Sequence, residues 1–167
     1  MILIDSEIEA RITSDQLISD HDPENIRNCG YILRAGKVFH VETGEEDELK
    51  TATNQSKKRV WEIGPSEILV MRTREKVKMP NDLCATYAPL FRLSSQGVML
   101  LNASIVEPAY AGYLSCFLVN FSSERISLNP NNPIAKIIFH KLSTVPTHPE
   151  IEIISDEDYE TNLAKMA

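Results

Sequence analysis

The chain has little positive charge. Lysine and arginine number 17 against 24 aspartates and glutamates, for a net charge of −7 over 167 residues. That balance removes the basic face a nonspecific nucleic-acid binder needs. It also gives no long-range attraction to a polyphosphate, so any phosphate site must be local. Cysteine is sparse: Cys29, Cys84 and Cys116 form an odd set with no C-x-x-C or Cys/His spacing. This argues against zinc ligation and for reduced thiols in a cytoplasmic protein. His21, His40, His140 and His148 are scattered, and none stands at the spacing of metal ligands. Asp5, Glu7 and Glu9 make the N-terminus unlike a secretory leader, and no apolar run approaches the ~20 residues of a helical membrane span. Ser94-Ser95 lacks a G-x-S-x-G context, which removes serine-hydrolase chemistry. Glycine is scarce too, with six in all and none between 143 and 167. A glycine-free tail does not easily lay backbone N–H groups along phosphates.

What is present is a series of short apolar runs from Leu83 to Leu142, divided by Gln96-Gly97, Glu107-Pro108, Ser122-Ser123 and Pro130-Asn131-Asn132-Pro133. Such spacing predicts an all-β barrel or sandwich. The prolines and glycines in the stretch would break a helix through it. Upstream, Ile4, Ile8 and Ile12 predict a short amphipathic helix within residues 1–12, capped by Asp5 or Ser6. His21-Asp22-Pro23-Glu24 reads as a turn, and Tyr31–Val41 as a strand bulged or bent at Gly36. Residues 42–59 are charged and read as an exposed loop ending in the basic run Lys57-Lys58-Arg59. Val60–Ile63 and Glu67–Arg74 read as strands around a Gly64-Pro65-Ser66 turn. Residues 143–167 read as a C-terminal tail, with Glu150–Ile154 a last strand and 156–166 an acidic helix or loose end. The whole is one domain, 1–167.

Glu107-Pro108-Ala109-Tyr110-Ala111-Gly112 is similar to the D-P-G-[FYW]-x-G hairpin of the dCTP deaminase/dUTPase superfamily. The strand after that hairpin ends in asparagine in the family, and Asn120 stands there. Leu128-Asn129-Pro130-Asn131-Asn132-Pro133-Ile134 resembles the next motif, L-x-P-G-x-x-I. Residues 1–12 resemble the start of dCTP deaminases, and Tyr31-Ile32-Leu33-Arg34-Ala35-Gly36 resembles their Y-D-L-R-L-G. The resemblance runs from residue 1 to about 142. It implies a dUTPase-like distorted barrel or jelly roll with an N-terminal helix, a homotrimer, and a pyrimidine deoxynucleotide as ligand.

The resemblance also implies chemistry that the residues do not follow. Metal-free deamination of a cytosine ring needs a carboxylate to activate water. The family carries it as a glutamate three residues before the strand's asparagine, and Phe117 occupies that position. Aligned on Gly97, the family's R-S-S-L-A-R-x-G becomes Leu90-Phe91-Arg92-Leu93-Ser94-Ser95-Gln96-Gly97, so leucine, phenylalanine and serine replace an arginine, a serine and a second arginine. Arg92 is the remaining cation, and a guanidinium suits phosphate. Ile32 replaces an aspartate and Lys136 a glutamine. The weak nucleotide-binding candidates are Arg92, Ser94, Ser95, Asn102, Glu107, Tyr110 and Lys136. Each also has a plain reading: Glu107 as a turn acid, Asn102 as a strand end, Tyr110 as aromatic core. Magnesium is expected only in company with a bound nucleoside triphosphate. Three readings follow: an inactive nucleotide-binding or protein-interaction module, an active dCTP deaminase or dUTP pyrophosphatase, and a trimeric scaffold.

Overall fold

The computed structural model describes residues 1–51, 59–102 and 105–147. It opens with helix α1, Asp5–Asp15. Ile8 and Ile12 are buried as their spacing requires, but Ile4 is 50% exposed. Ile4 is the N-cap residue, and its N–H is taken by the Glu7 carboxylate at 3.0 Å. The start is therefore closed by the acid one turn in, not by Asp5 or Ser6. Gln16, at φ 59°, ends the helix in the left-handed region. A single 3-10 turn, Pro23–Asn25, follows, with the Asp22 carboxylate accepting from the Glu24 N–H at 3.0 Å.

The strands then come in order: β1 Ile26–Arg27, β2 Gly30–His40, β3 Lys50–Thr51, β4 Arg59–Ile63, β5 Ile68–Lys78 and β6 Leu83–Pro89. A one-turn helix α2, Phe91–Ser94, separates β6 from β7 Val98–Asn102, and β8 Ala111–Asn120, β9 Ile126–Leu128 and β10 Pro133–Lys141 complete the chain. The larger sheet runs β6-β10-β2-β5-β8-β7 with β1 on β2, and the smaller runs β3-β4-β9. The larger sheet curls into a nearly closed barrel, and the Asn102 amide reaches from β7 to the Tyr87 carbonyl of β6 at 3.1 Å. Leu33, Leu69, Met71, Leu118, Ile137 and Phe139 fill its interior with no exposed surface. Among the described residues no helix is long and apolar enough to cross a membrane.

Gly36 is the bulge. The β2–β5 register shifts between Ala35 and Lys37, and a Cβ there would sit 2.6 Å from the Thr73 carbonyl oxygen. The strands can approach this closely only without a side chain.

Two expectations need correction. The central stretch does hold a helical turn, α2, because the breaking residues Gly97 and Pro108 lie beyond it. The 42–59 segment is not wholly an exposed loop. Asp47 is 6% exposed, its carbonyl accepts from the Trp61 indole N–H at 3.1 Å, and its carboxylate lies 3.2 Å from His40 Nε2. Lys50 and Thr51 pair with Val60 and Arg59. A buried tryptophan must place its N–H, and that need pulls a charged stretch onto the barrel. Lys57-Lys58, Glu150–Ile154 and 156–166 lie outside the described residues.

Candidate functional site

Strand β8 carries both ends of the site. Alternation turns Gly112, Leu114, Cys116, Leu118 and Asn120 inward, all buried. Asn120 is fully buried. Its Nδ2 lies 3.0, 3.1 and 2.8 Å from the carbonyl oxygens of Ile63, Gly64 and Glu124. Its Oδ1 accepts from the Ser122 N–H at 2.9 Å and the Ser122 hydroxyl at 2.7 Å. One side chain thus ties the large sheet to β4 of the small one.

Phe117 points the other way. It pairs with Val70 on β5 and Leu101 on β7 and is 38% exposed. No carboxylate stands on the outward side of β8, at Ala111, Tyr113, Ser115, Phe117 or Val119. Around Phe117 and Val119 the facing outward positions on β5 and β7 are Ile68, Val70, Met99 and Leu101, while Arg72, Lys76 and Lys78 face Ser115, Tyr113 and Ala111. The place expected for a water-activating acid is therefore hydrocarbon. Cys116, next along, faces inward, and burial drives its thiol far up from its ordinary value. It has no nucleophilic role there.

The loop after β6 is set by Leu93, its one buried residue, and by Gly97. Gly97 has φ +83°, and a Cβ on it would meet the Ser122 Cβ at 2.9 Å. Its carbonyl accepts the Phe121 N–H at 2.9 Å. This brings the loop against the turn that Asn120 organises. Arg92, Ser94 and Ser95 are all exposed on it. The Ser95 hydroxyl donates to the Arg92 carbonyl at 3.0 Å, and the Arg92 guanidinium makes no ion pair with the described residues. Phe91, beside it, is 85% exposed.

The other candidates disperse. Asn102 uses its amide on Tyr87, as a strand-end residue does. Tyr110 packs against the core and donates its hydroxyl to the Tyr113 carbonyl, so its ring is no free stacking platform. Glu107 is exposed in its turn. The Ala85–Val106 bridge brings this turn beside β6, and the Cys84 thiol is raised by its burial and further by the Glu107 charge. Lys136 turns its Nζ to Cys29 Sγ at 3.4 Å, toward the β1–β2 turn and not toward Arg92. Among the described residues no three His, Cys, Asp or Glu side chains converge as a metal site.

A buried ion pair was missed. Glu75 has no exposed surface, accepts from the Arg34 backbone N–H at 2.9 Å and from Arg34 Nε at 2.5 Å. Arg34 also donates to the Asp20 carbonyl at 2.6 Å. Burial pulls the guanidinium down, but the hydrogen bond and charge of Glu75 leave it above its ordinary value. The signal lay in β5, where Glu75 shares the inward parity of Leu69, Met71, Thr73 and Val77.

The turns of the two family motifs are alike. In Glu107–Tyr110 the Tyr110 N–H meets the Glu107 carbonyl at 3.3 Å, and in Asn129–Asn132 the Asn132 N–H meets the Asn129 carbonyl at 3.1 Å. Proline is second in both, and the third residue has positive φ: 67° at Ala109 and 66° at Asn131. That is the pattern of a type II turn, which favours glycine at its third position.

The nearly closed, mostly antiparallel barrel with one main helix at its N-terminus is a dUTPase-like fold. The dCTP deaminase from Agrobacterium tumefaciens superposes with a TM-score of 0.65 at 16% identity, over 83% of this chain and about half, 48%, of that one. The dUTPase from Streptococcus mutans gives 0.51 at 15%, over 78% and 96%. By sequence, the dCTP deaminase of Thermococcus gammatolerans is 30% identical over 149 residues, covering 89% of this chain and 87% of its own. That of Pyrococcus horikoshii is 28% identical over 139 residues, covering 83% and 84%. Residues 2–142 match the dCTP deaminase-like family, and the chain belongs to it.

Proposed function

We propose that this chain is a catalytically inactive, cytoplasmic member of its family, a homotrimer that serves as a weak pyrimidine deoxynucleotide binder or as a module for contact with another protein. One observation carries the reading: Phe117, which the resemblance aligns with the water-activating carboxylate, has Val70 and Leu101 beside it, and no acid stands on the surrounding outward positions. A positioned general base supplies ~10²–10⁴ in rate. The phosphate side is equally thin. Leu90 and Ser95 stand at the positions of the family's two arginines and Phe91 at that of a serine, which leaves Arg92 as the one cation in the motif. In this reading a magnesium ion enters only on the oxygens of a bound triphosphate.

The test is incubation of purified protein with dCTP and with dUTP, followed by product analysis. Neither ammonia nor pyrophosphate is expected above background, and Phe117→Glu alone is expected to restore nothing. Ammonia release proportional to protein would overturn the reading. Calorimetry with dCTP, dUTP and dTTP is expected to give weak binding that Arg92→Ala abolishes. Submicromolar binding unchanged by that substitution would put the ligand elsewhere.

A further inference from the structure

We infer that this chain carries a second anion site, for a small phosphate-bearing molecule, in the groove between residues 16–21 and the neighbouring ends of β5 and β8. The site lies apart from Arg92. Ala111 and Gly112 border the groove at the start of β8, whereas the Arg92 loop meets the turn beyond the end of β8, through Gly97 and Ser122. The ten residues of β8 put roughly 30 Å between the two places.

The sequence of β5 prepares it. From Arg72 to Lys78 a cation stands at every second position, and Thr73, Glu75 and Val77 between them are buried. Like charges about 7 Å apart along one strand face repel, so each calls for an opposing group. Arg74 donates to the Asn131 side-chain carbonyl. Arg72 and Lys76 lie 4.0 and 4.7 Å from the centroid of the Tyr113 ring. Lys78 forms no ion pair with the described residues. The Asp15 carboxyl is lowered chiefly by its hydrogen bond from Arg11, at 2.6 Å, and only last by the Lys78 charge.

The groove encloses about 620 Å³, a volume that suits a small ligand. Ile12, Ile18 and Val77 line its floor, and Lys76, Lys78 and His21 stand around it. No aspartate or glutamate lines it, in a chain of net charge −7. Asp22, next to His21, lies 3.8 Å from Arg34 and is turned that way. The backbone of the groove is tied together. Ile18 bridges Val77, and the Ser19 and Lys78 N–H groups each donate at 3.0 Å, to the Lys76 and Leu17 carbonyls. Cations over an apolar floor attract an anion more strongly than cations in open water, because the screening is reduced on one side. Two ammonium groups match the near-double charge and the several acceptor oxygens of a phosphate group. A carboxylate brings one charge and answers one of them.

The experiment is titration calorimetry with inorganic phosphate, glycerol phosphate and acetate. It compares wild type, the double variant Lys76→Gln with Lys78→Gln, and Lys141→Gln, which removes one charge at the exposed end of β10. Wild type and Lys141→Gln are expected to bind phosphate in the millimolar range or tighter, and acetate more weakly. The double variant is expected to lose roughly tenfold or more in phosphate affinity. Glycerol phosphate binding more tightly than phosphate supports a phosphate ester whose body rests on the apolar floor. Equal or weaker binding supports the free ion at the same site. Phosphate affinity unchanged in the double variant overturns the site, as does a wild type that binds no phosphate. Acetate binding as tightly as phosphate overturns the ligand class. Should the double variant fail to fold by circular dichroism, Lys78→Gln alone decides: a several-fold loss supports the site, and no loss overturns it.

Discussion

Asn120 and Phe117 stand on one strand, one facing in and the other out. Asn120 keeps the residue type the family pattern has there, and its side chain is satisfied on every side. Phe117 departs from the pattern and meets hydrocarbon and solvent. A frame residue is held by what it costs the fold to lose it. A chemical residue is held by the reaction, and under the function proposed above Phe117 answers to the surface alone. The same division runs through the rest of the molecule. Gly97 and the paired turns hold the backbone course, while Leu90, Phe91 and Ser95 on the intervening loop differ from the polar and cationic residues of the pattern this stretch resembles.

The largest effect should come from the inward side. Asn120→Ala leaves the Ile63, Gly64 and Glu124 carbonyls and the Ser122 donors short of a buried partner. Each group left unpaired costs about 1–3 kcal/mol, so a loss of about 3 kcal/mol or more is expected in urea unfolding. A loss under about 1 kcal/mol would mean that the two sheets are joined by something other than this side chain.

Next comes the buried ion pair, which asks whether a charged residue can belong to the frame. Glu75→Gln keeps the volume and one acceptor but strands the Arg34 guanidinium without its carboxylate. Asp22, 3.8 Å from Arg34, is half in water and compensates little. Removing one partner of a buried pair is costly because the other charge stays. A loss of about 2 kcal/mol is expected in urea unfolding. A neutral or stabilising result would place Glu75 among residues retained for function.

Much of this frame was legible in the sequence. Strand runs and turn residues are local signals, and they placed β2, β4, β5 and the β7–β10 series. The hairpin and its asparagine gave the family. What the sequence hid was every relation between distant residues. Nothing local to Lys136 says that its amine turns to Cys29. Nothing near Asp47 says that Trp61 will draw it inward. That each apolar run has an outward half is local, but only the registers set Val70, Phe117 and Leu101 side by side. Arg34 and Glu75 lie far apart in sequence, and the pair exists only once β2 and β5 are neighbours.

The smallest effect tests whether the frame has outlived its glycines. At Glu107–Tyr110 and Asn129–Asn132 the backbone takes the same turn, and the family patterns put glycine third in each. Asn131 is at ease there, because asparagine tolerates the left-handed region through local hydrogen bonding. Ala109 is not, since its Cβ crowds the carbonyl at φ 67°, at a cost of roughly 1–2 kcal/mol. Glycine removes that crowding but adds backbone freedom to the unfolded chain, which returns about 0.4–1 kcal/mol. Ala109→Gly is therefore expected to stabilise by about 0.5–1 kcal/mol, a rise of roughly 1–4 °C in Tm for a chain this size. Asn131→Gly is expected to change little. Stabilisation at Asn131 but not at Ala109 would reverse the assignment of strain. A loss at Ala109 would show that its methyl group makes a contact worth more than the conformation it strains.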